Sequence, residues 1–124
     1  MPRVVHFEFP VDDPERAKKF YEDVFGWRIE KWEGAQDYWL ITTGEDSEPG
    51  INGAFARRSD GLQGTTNTIG VESLDESIAK AVENGAKMAL PKTEVPGAGY
   101  VAYCIDTEGN VFGMFESTVP AAGQ

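Results

Sequence analysis

The sequence predicts an α+β fold made of two βαβββ modules, residues 1–62 and 63–120, within a single domain. Two observations support this fold class. A strand, a helix and a glycine stop occur twice, about sixty residues apart, and such an internal repeat indicates a repeated structural unit. Each helix is also followed by three strand-like segments rather than by further helices, which argues against a single alternating α/β sheet.

The first strand has two different faces. Val5, Phe7 and Phe9 alternate with His6 and Glu8, and successive side chains of a strand point to opposite sides of the sheet. We expect the apolar set to pack against the following helix. His6 and Glu8 are then left together on the opposite face.

The first helix has a start, an apolar stripe and a stop. Asp13 is a suitable N-cap before Pro14 at the first helical position, and Gly26 ends the helix. Apolar residues follow at the spacing of three and four that forms one helical face: Ala17, Phe20, Tyr21, Val24 and Phe25. We expect Phe20 and Val24 to pack against the sheet.

The second repeat is weaker but has the same order. Ser73 and Glu76 have the Ser-x-x-Glu spacing of a capping box, and Gly85 ends the helix. Ile69 is predicted to face this helix, which leaves Thr68 on the other side of its strand. The remaining strands are predicted at residues 27–32, 38–43, 51–56, 87–90, 99–105 and 110–117.

Size and charge limit the functional classes. The 124 residues are 40% hydrophobic, which is enough for one core, and no apolar run approaches the roughly 20 residues of a membrane span. No signal-peptide pattern is present, and Cys104 is the only cysteine, so a cytoplasmic location without disulfides is expected. The net charge of −10 is shared equally by the two halves without a basic stripe, which disfavours nucleic-acid binding.

Both ends of the chain resemble the vicinal oxygen chelate superfamily, which includes glyoxalase I, bleomycin- and fosfomycin-resistance proteins and extradiol dioxygenases. The similarity lies in residues 4–27, VVHFEFPVDDPERAKKFYEDVFGW, and in residues 106–115, DTEGNVFGMF. It covers essentially the whole chain. The resemblance implies a cupped, barrel-like mixed sheet with the helices outside, a ligand in the concavity and a homodimer.

The resemblance also identifies the positions at which metal-dependent members carry their ligands. They correspond here to His6, Asn52, Thr68 and Gly113, and only His6 is a typical metal ligand. A catalytic divalent metal needs at least three convergent donors. The sequence therefore predicts a protein without metal or cofactor that binds a small molecule. Two alternatives stay open: a metal-dependent lyase or dioxygenase with an atypical site around His6, and an interaction module whose cup is filled.

Aromatic residues in both modules are the second candidate feature. Most belong in the core, whereas some are predicted to line the cup, where aromatic and acidic groups suit a flat or cationic organic ligand. The predicted ligand-binding residues are His6, Glu8, Trp39, Asn52, Thr68, Tyr103, Gly113 and Phe115. His6 is also the only catalytic candidate, because a histidine side chain changes its charge near neutral pH. Whether the chain is an enzyme stays open at this point.

Overall fold

The computed structural model describes residues 2–34, 37–60 and 64–119. The strands are β1 (Arg3–Val11), β2 (Arg28–Lys31), β3 (Trp39–Thr42), β4 (Asn52–Arg57), β5 (Thr66–Gly70), β6 (Lys87–Val95), β7 (Gly99–Ile105) and β8 (Val111–Ser117). The helices are α1 (Pro14–Phe25) and α2 (Leu74–Glu83), and a 3-10 turn covers Arg58–Asp60. The order strand, helix and three strands occurs twice, so the predicted α+β class of two βαβββ modules is confirmed. No helix in these described ranges is long and apolar enough to cross a membrane.

The chain forms two compact units. Unit A is His6–Thr66, and unit B combines Met1–Val5 with Asn67–Gln124. The predicted module boundary between residues 62 and 63 lies outside the described residues. The observed division falls between Thr66 and Asn67, and a second division falls within β1, between Val5 and His6.

Unit A contains α1 and four strands in the order β2-β3-β4-β1. β1 and β4 are parallel, whereas the β2–β3 and β3–β4 pairs are antiparallel. The buried core consists of Val11, Ile29, Trp39, Ile41 and Phe55. Phe7 and Phe9 of β1 pack against this core, which is the side of the strand that the alternation predicts for them.

The ends of α1 agree with the sequence, but its apolar stripe does not. The Asp13 carboxylate accepts a hydrogen bond of 3.1 Å from the backbone N–H of Arg16, and Gly26 ends the helix with a φ of 71°. The prediction that Phe20 and Val24 pack against the sheet is wrong, because these residues are 54% and 55% exposed.

Tyr21 explains this difference. Its ring stacks on Trp27 at a centroid distance of 5.1 Å and contacts Phe9 at 5.5 Å. Tyr21 therefore lies at the centre of the helix face that packs against the core. Successive residues of a helix are about 100° apart around the axis, so Phe20 lies to the side of the face that Tyr21 presents to the core. Phe25 is likewise 59% exposed. Only part of the predicted stripe is therefore buried.

Unit B contains α2 and four strands in the order β5-β8-β7-β6. Its buried core consists of Leu74, Ala102, Cys104 and Met114. Ser73 caps α2 as predicted, because its hydroxyl oxygen accepts a 3.2 Å hydrogen bond from the N–H of Glu76. The helix ends at Glu83 and its C-cap is Asn84, one residue before the positive-φ Gly85 that the sequence predicts as the stop.

β6 is longer than predicted. The sequence places its end at Leu90, before Pro91, whereas the strand continues to Val95. Its pairing with β7 shifts register between Met88 and Leu90 and again between Leu90 and Thr93. β6 is the last strand in the order of unit B, and proline is tolerated at such terminal strands and at bulges because it lacks only an N–H donor.

Candidate functional site

β1 places His6 and Glu8 on the face of unit A that is opposite to the core. In the parallel ladder with β4, His6 lies opposite Asn52 and Glu8 lies opposite Ala54, whereas the intervening Phe7 packs against the core. Glu8 is nevertheless only 5% exposed. A carboxyl group is therefore buried two residues from the only histidine of the chain.

His6 is hydrogen-bonded to Tyr38, which precedes β3. The Nε2 atom of His6 lies 3.1 Å from the hydroxyl oxygen of Tyr38. The backbone carbonyl of Tyr38 accepts a 2.7 Å hydrogen bond from the N–H of Trp32, and the two rings meet edge to face at 6.3 Å. Tyr38 is not among the ligand-binding residues that the sequence predicts. Its position next to Trp39 in the sequence could have indicated it. Neighbouring residues of a strand face opposite sides of the sheet, so if Trp39 faces the core, Tyr38 faces the side of His6.

Burial sets the charge state of His6. It lowers the pKa of His6 below the ordinary value of 6.5, and the negative charge of Glu8 partly opposes this effect. The imidazole is therefore neutral near pH 7. A neutral imidazole has one donor and one acceptor nitrogen, so it can hydrogen-bond a ligand or accept a proton.

We expect a pH titration to report this environment directly. Because the chain has one histidine, its ring signals in a ¹H–¹³C NMR spectrum follow His6 alone. The titration midpoint should lie below 6.5. Glu8→Gln should lower the midpoint further, because it removes the charge that opposes the shift. Glu15→Gln, at an exposed position of α1, is the matched control and should leave the midpoint unchanged. A higher midpoint in Glu8→Gln would contradict the assignment.

The same shift predicts the direction of the pH dependence of stability. The unfolded chain titrates at the ordinary value of 6.5 and the folded chain titrates lower, so the unfolded state binds more protons between these values. The contribution of His6 to stability is therefore fully present above pH 6.5. It decreases as the pH falls through the pKa of the folded protein.

The predicted residue Asn52 is held by the connection between β3 and β4. Its side-chain oxygen accepts a 2.9 Å hydrogen bond from the backbone N–H of Thr43. The Thr43 hydroxyl lies 3.2 Å from the same oxygen and donates at 2.7 Å to the carbonyl of Ile51. The Asn52 oxygen is thus engaged in a turn, although its amide N–H groups remain potential donors.

The structure places Trp39 in the core, away from the predicted ligand-binding face. Trp39 is 3% exposed, and its ring lies 5.9 Å from that of Phe55. Trp39 pairs with Phe55 across β3 and β4, which fixes its side of the sheet. Phe55 is in turn paired with Phe9 of β1, which packs against the core. Trp39 therefore lies on the core face of the sheet, opposite to the face of His6. The aromatic residue that reaches His6 is Tyr38.

The four predicted residues of unit B share one face of its sheet. Gly113 of β8 is paired with Thr68 on one side and with Tyr103 on the other, and Phe115 follows two residues later. A Cβ at Gly113 would lie 2.8 Å from the Thr68 hydroxyl oxygen and 3.1 Å from a ring carbon of Tyr103. The glycine therefore allows these two side chains to approach each other. The Thr68 hydroxyl is buried and has no hydrogen-bond partner among the described residues.

Comparisons with known proteins agree with this architecture. A sequence profile described as "Bleomycin resistance protein-like N-terminal" matches residues 3–44. Two relatives, each named "Putative glyoxylase CFP32", from Mycobacterium bovis and Mycobacterium tuberculosis, are 26% identical over 109 residues, which is 85% of this chain. The chain spans 42% of the length of these relatives.

Solved structures match over nearly the whole chain. A hypothetical protein from Bacillus halodurans C-125 has a TM-score of 0.76 at 16% identity and covers 98% of this chain and 99% of its own. A methylmalonyl-CoA epimerase variant of Streptomyces coelicolor, in complex with 2-nitronate-propionyl-CoA, has a TM-score of 0.74 at 11% identity, with 97% of both chains covered. The Mycobacterium tuberculosis epimerase has a TM-score of 0.69 at 13% identity and covers 94% of this chain and 88% of its own.

The repeated βαβββ unit and these structural matches agree with the fold that the resemblance to the vicinal oxygen chelate superfamily implies. The sequence profile, the relatives and the structural matches together support the resemblance found at both ends of the sequence. The sequence matches are to a bleomycin-resistance-protein-like profile and to relatives named putative glyoxylases.

The residues at the positions where the resemblance implies metal ligands do not fit a metal ion. In unit A, His6 is hydrogen-bonded to Tyr38, and the side-chain oxygen of Asn52 accepts from a backbone N–H. In unit B, Gly113 has no side chain, and Thr68 offers only a neutral, buried hydroxyl. Within the described ranges, no group of three or more His, Cys, Asp or Glu side chains could hold a metal ion.

Proposed function

We propose that this chain is a metal-independent small-molecule-binding protein of the glyoxalase- and bleomycin-resistance-like group. One observation carries the proposal: His6 is paired with Tyr38 beside the buried Glu8, at the strand where the resemblance implies the first ligand of a metal-dependent member. A neutral imidazole, a phenol and a carboxyl group are suited to orienting an organic ligand. They are poorly suited to holding a divalent ion without further donors.

We propose a flat aromatic or cationic molecule as the ligand. Trp32 and Tyr38 form an edge-to-face aromatic pair next to His6. Leu40 shares the face of Glu8, through its pairing with Ala54, and is 41% exposed. Aromatic rings and a nearby acidic group attract cations, and the net charge of −10 favours a cation over an anion. The Streptomyces coelicolor epimerase variant is in complex with 2-nitronate-propionyl-CoA, so a CoA ester is the useful anionic comparison.

The first test is the response to metals. We expect Ni²⁺, Zn²⁺, Mn²⁺ and Fe²⁺ to change the midpoint of thermal unfolding by less than about 1 °C, because a ligand that does not bind the folded state does not stabilise it. For comparison, a ligand present at a hundred times its Kd stabilises by about 2.7 kcal/mol. His6→Ala is the control. A stoichiometric metal stabilisation that His6→Ala abolishes would contradict the proposal and favour a metal-dependent lyase or dioxygenase.

The second test is ligand binding. Native mass spectrometry of the freshly purified protein should show a retained organic molecule without metal. We expect the cationic aromatic dye ethidium to bind more tightly than propionyl-CoA, and Tyr38→Phe to weaken ethidium binding by about three- to tenfold, which is the typical value of one hydrogen bond. Tyr100→Phe in unit B, where Lys92 lies 4.7 Å from the ring, is the matched control. Equal losses in both variants would contradict a site at Tyr38.

We also propose that the protein is a homodimer. β2 ends the strand order of unit A and β6 ends that of unit B, and such strands carry unpaired backbone groups that proteins usually protect. Sedimentation velocity over a range of protein concentrations tests this proposal. A monomer at all concentrations would contradict it.

A further inference from the structure

Tyr38 is held between two anchored neighbours. Trp39, which follows it, is buried in the core of unit A and pairs with Phe55. Asp37, which precedes it, pairs with Arg57, two residues further along the same face of β4 as Phe55. Because side chains alternate along an extended chain, anchoring both neighbours on one face directs Tyr38 to the other. That other face is the one that carries His6.

Asp37 is anchored by two cations. Its carboxylate is hydrogen-bonded to the Arg57 guanidinium, and the Lys31 ammonium lies 3.2 Å away. Both cations also lie over the Trp39 ring, with the guanidinium carbon 5.1 Å and the ammonium 5.8 Å from its centroid. These two partners hold the pKa of the Asp37 carboxyl below its ordinary value, so it is ionised near neutral pH.

We propose that Asp37 is a positioning residue for the His6 site. Its ion pairs with Arg57 and Lys31, together with the buried Trp39, hold the Tyr38 hydroxyl against His6. Asp37 acts through Tyr38: among the residues that the structure describes, its ion pairs are with Arg57 and Lys31 and not with His6. The positioning is a property of the ligand-free protein, and only its consequence for ligand affinity rests on the proposed function.

The titration of His6 tests this inference, because positioning by Asp37 and a simple charge effect of Asp37 shift the His6 midpoint in opposite directions. In Asp37→Asn the carboxylate is lost, Tyr38 is released and the His6 ring becomes more accessible to water. Since burial is the main cause of the lowered pKa of His6, the NMR titration midpoint should rise toward 6.5. If Asp37 acted only as a nearby negative charge, its removal would lower the midpoint instead. An unchanged or lowered midpoint would overturn the proposal.

Two further variants separate positioning from general loosening of the fold. Asp23→Asn removes the 2.6 Å ion pair with Lys19 on α1 and should leave the His6 midpoint unchanged. In a Tyr38→Ala background, Asp37→Asn should produce no additional rise, because the residue through which it acts is already absent. An equal rise in that background, or in Asp23→Asn, would overturn the proposal.

A conservative change covers the possibility that Asp37→Asn folds poorly. Arg57→Lys keeps the positive charge but loses the planar guanidinium, so it should raise the His6 midpoint by a smaller amount. No rise in Arg57→Lys would count against the proposal.

Ethidium binding distinguishes this inference from the proposed function. A raised His6 midpoint in Asp37→Asn, in a protein whose wild type binds no ethidium, would confirm the positioning and contradict the cationic ligand.

Discussion

Phe55→Ala is expected to lower the free energy of unfolding by about 4 kcal/mol, the usual range for a fully buried phenylalanine being about 3–5 kcal/mol. Phe55 is 0% exposed, and its ring lies 5.7 Å from Phe9 and 5.9 Å from Trp39. The truncation removes these contacts and leaves a cavity between β1, β3 and β4, which already carry much of the core of unit A. Urea denaturation followed by tryptophan fluorescence measures the loss.

Phe20→Ala is the matched control, because it makes the same substitution at an exposed residue instead of a buried one. Phe20 is 54% exposed and contacts Tyr21 edge to face at 5.0 Å, so we expect a loss of about 1 kcal/mol or less. Equal losses at the two positions would contradict the exposed placement of Phe20. A loss at Phe20 that grows with protein concentration would instead indicate that a second copy covers this side of α1.

The local elements of this fold could be predicted because their signals are contained in short stretches. The Asp13 cap, the Ser73 cap and the Gly26 stop each depend on residues within four positions, and all three are observed. Alternation in β1 likewise assigned Phe7 and Phe9 to the core. Such signals do not depend on which strand lies next to which, so the fold class follows from them.

The site could be predicted only in part, because it depends on register between distant strands. Alternation alone predicted that His6 and Glu8 share a face, whereas Tyr38 lies thirty-two residues from His6 and meets it only after β1, β4 and β3 have paired. Trp39 was predicted to bind the ligand because it is aromatic. A shift of one residue along a strand moves a side chain from the His6 face to the core, and Trp39 lies in the core. Aromatic composition predicted that rings would lie near the site but not which ring.

The apolar stripe of α1 was misjudged for a related reason. Periodicity shows which residues share a helical face but not how wide a strip the sheet covers. Tyr21 fills that strip by stacking on Trp27, and Val24 is left on its flank. The extent of β6 also depends on tertiary context, since register shifts on either side of Leu90 carry the strand past Pro91.

Gly53→Ala is expected to lower the free energy of unfolding by about 3 kcal/mol, because overpacking within a sheet forces the backbone to move. A Cβ at Gly53 would lie 2.5 Å from the backbone oxygen of Phe7 and 2.6 Å from two atoms of its ring. Gly53 is paired with Phe7 in the parallel ladder of β1 and β4. The carbonyl cannot give way without displacing β1, and the ring cannot give way without leaving the core.

The same clash should reach the His6 site, because the next pair in this ladder is His6 with Asn52. We therefore expect Gly53→Ala also to weaken the hydrogen bond between His6 and Tyr38 and to raise the His6 titration midpoint toward 6.5. Gly64→Ala is the control: a Cβ there meets nothing within 4 Å, so stability should change by less than about 1 kcal/mol. If Gly53→Ala were as stable as Gly64→Ala, β1 and β4 could not be paired in this register, and the placement of His6 opposite Asn52 would be wrong.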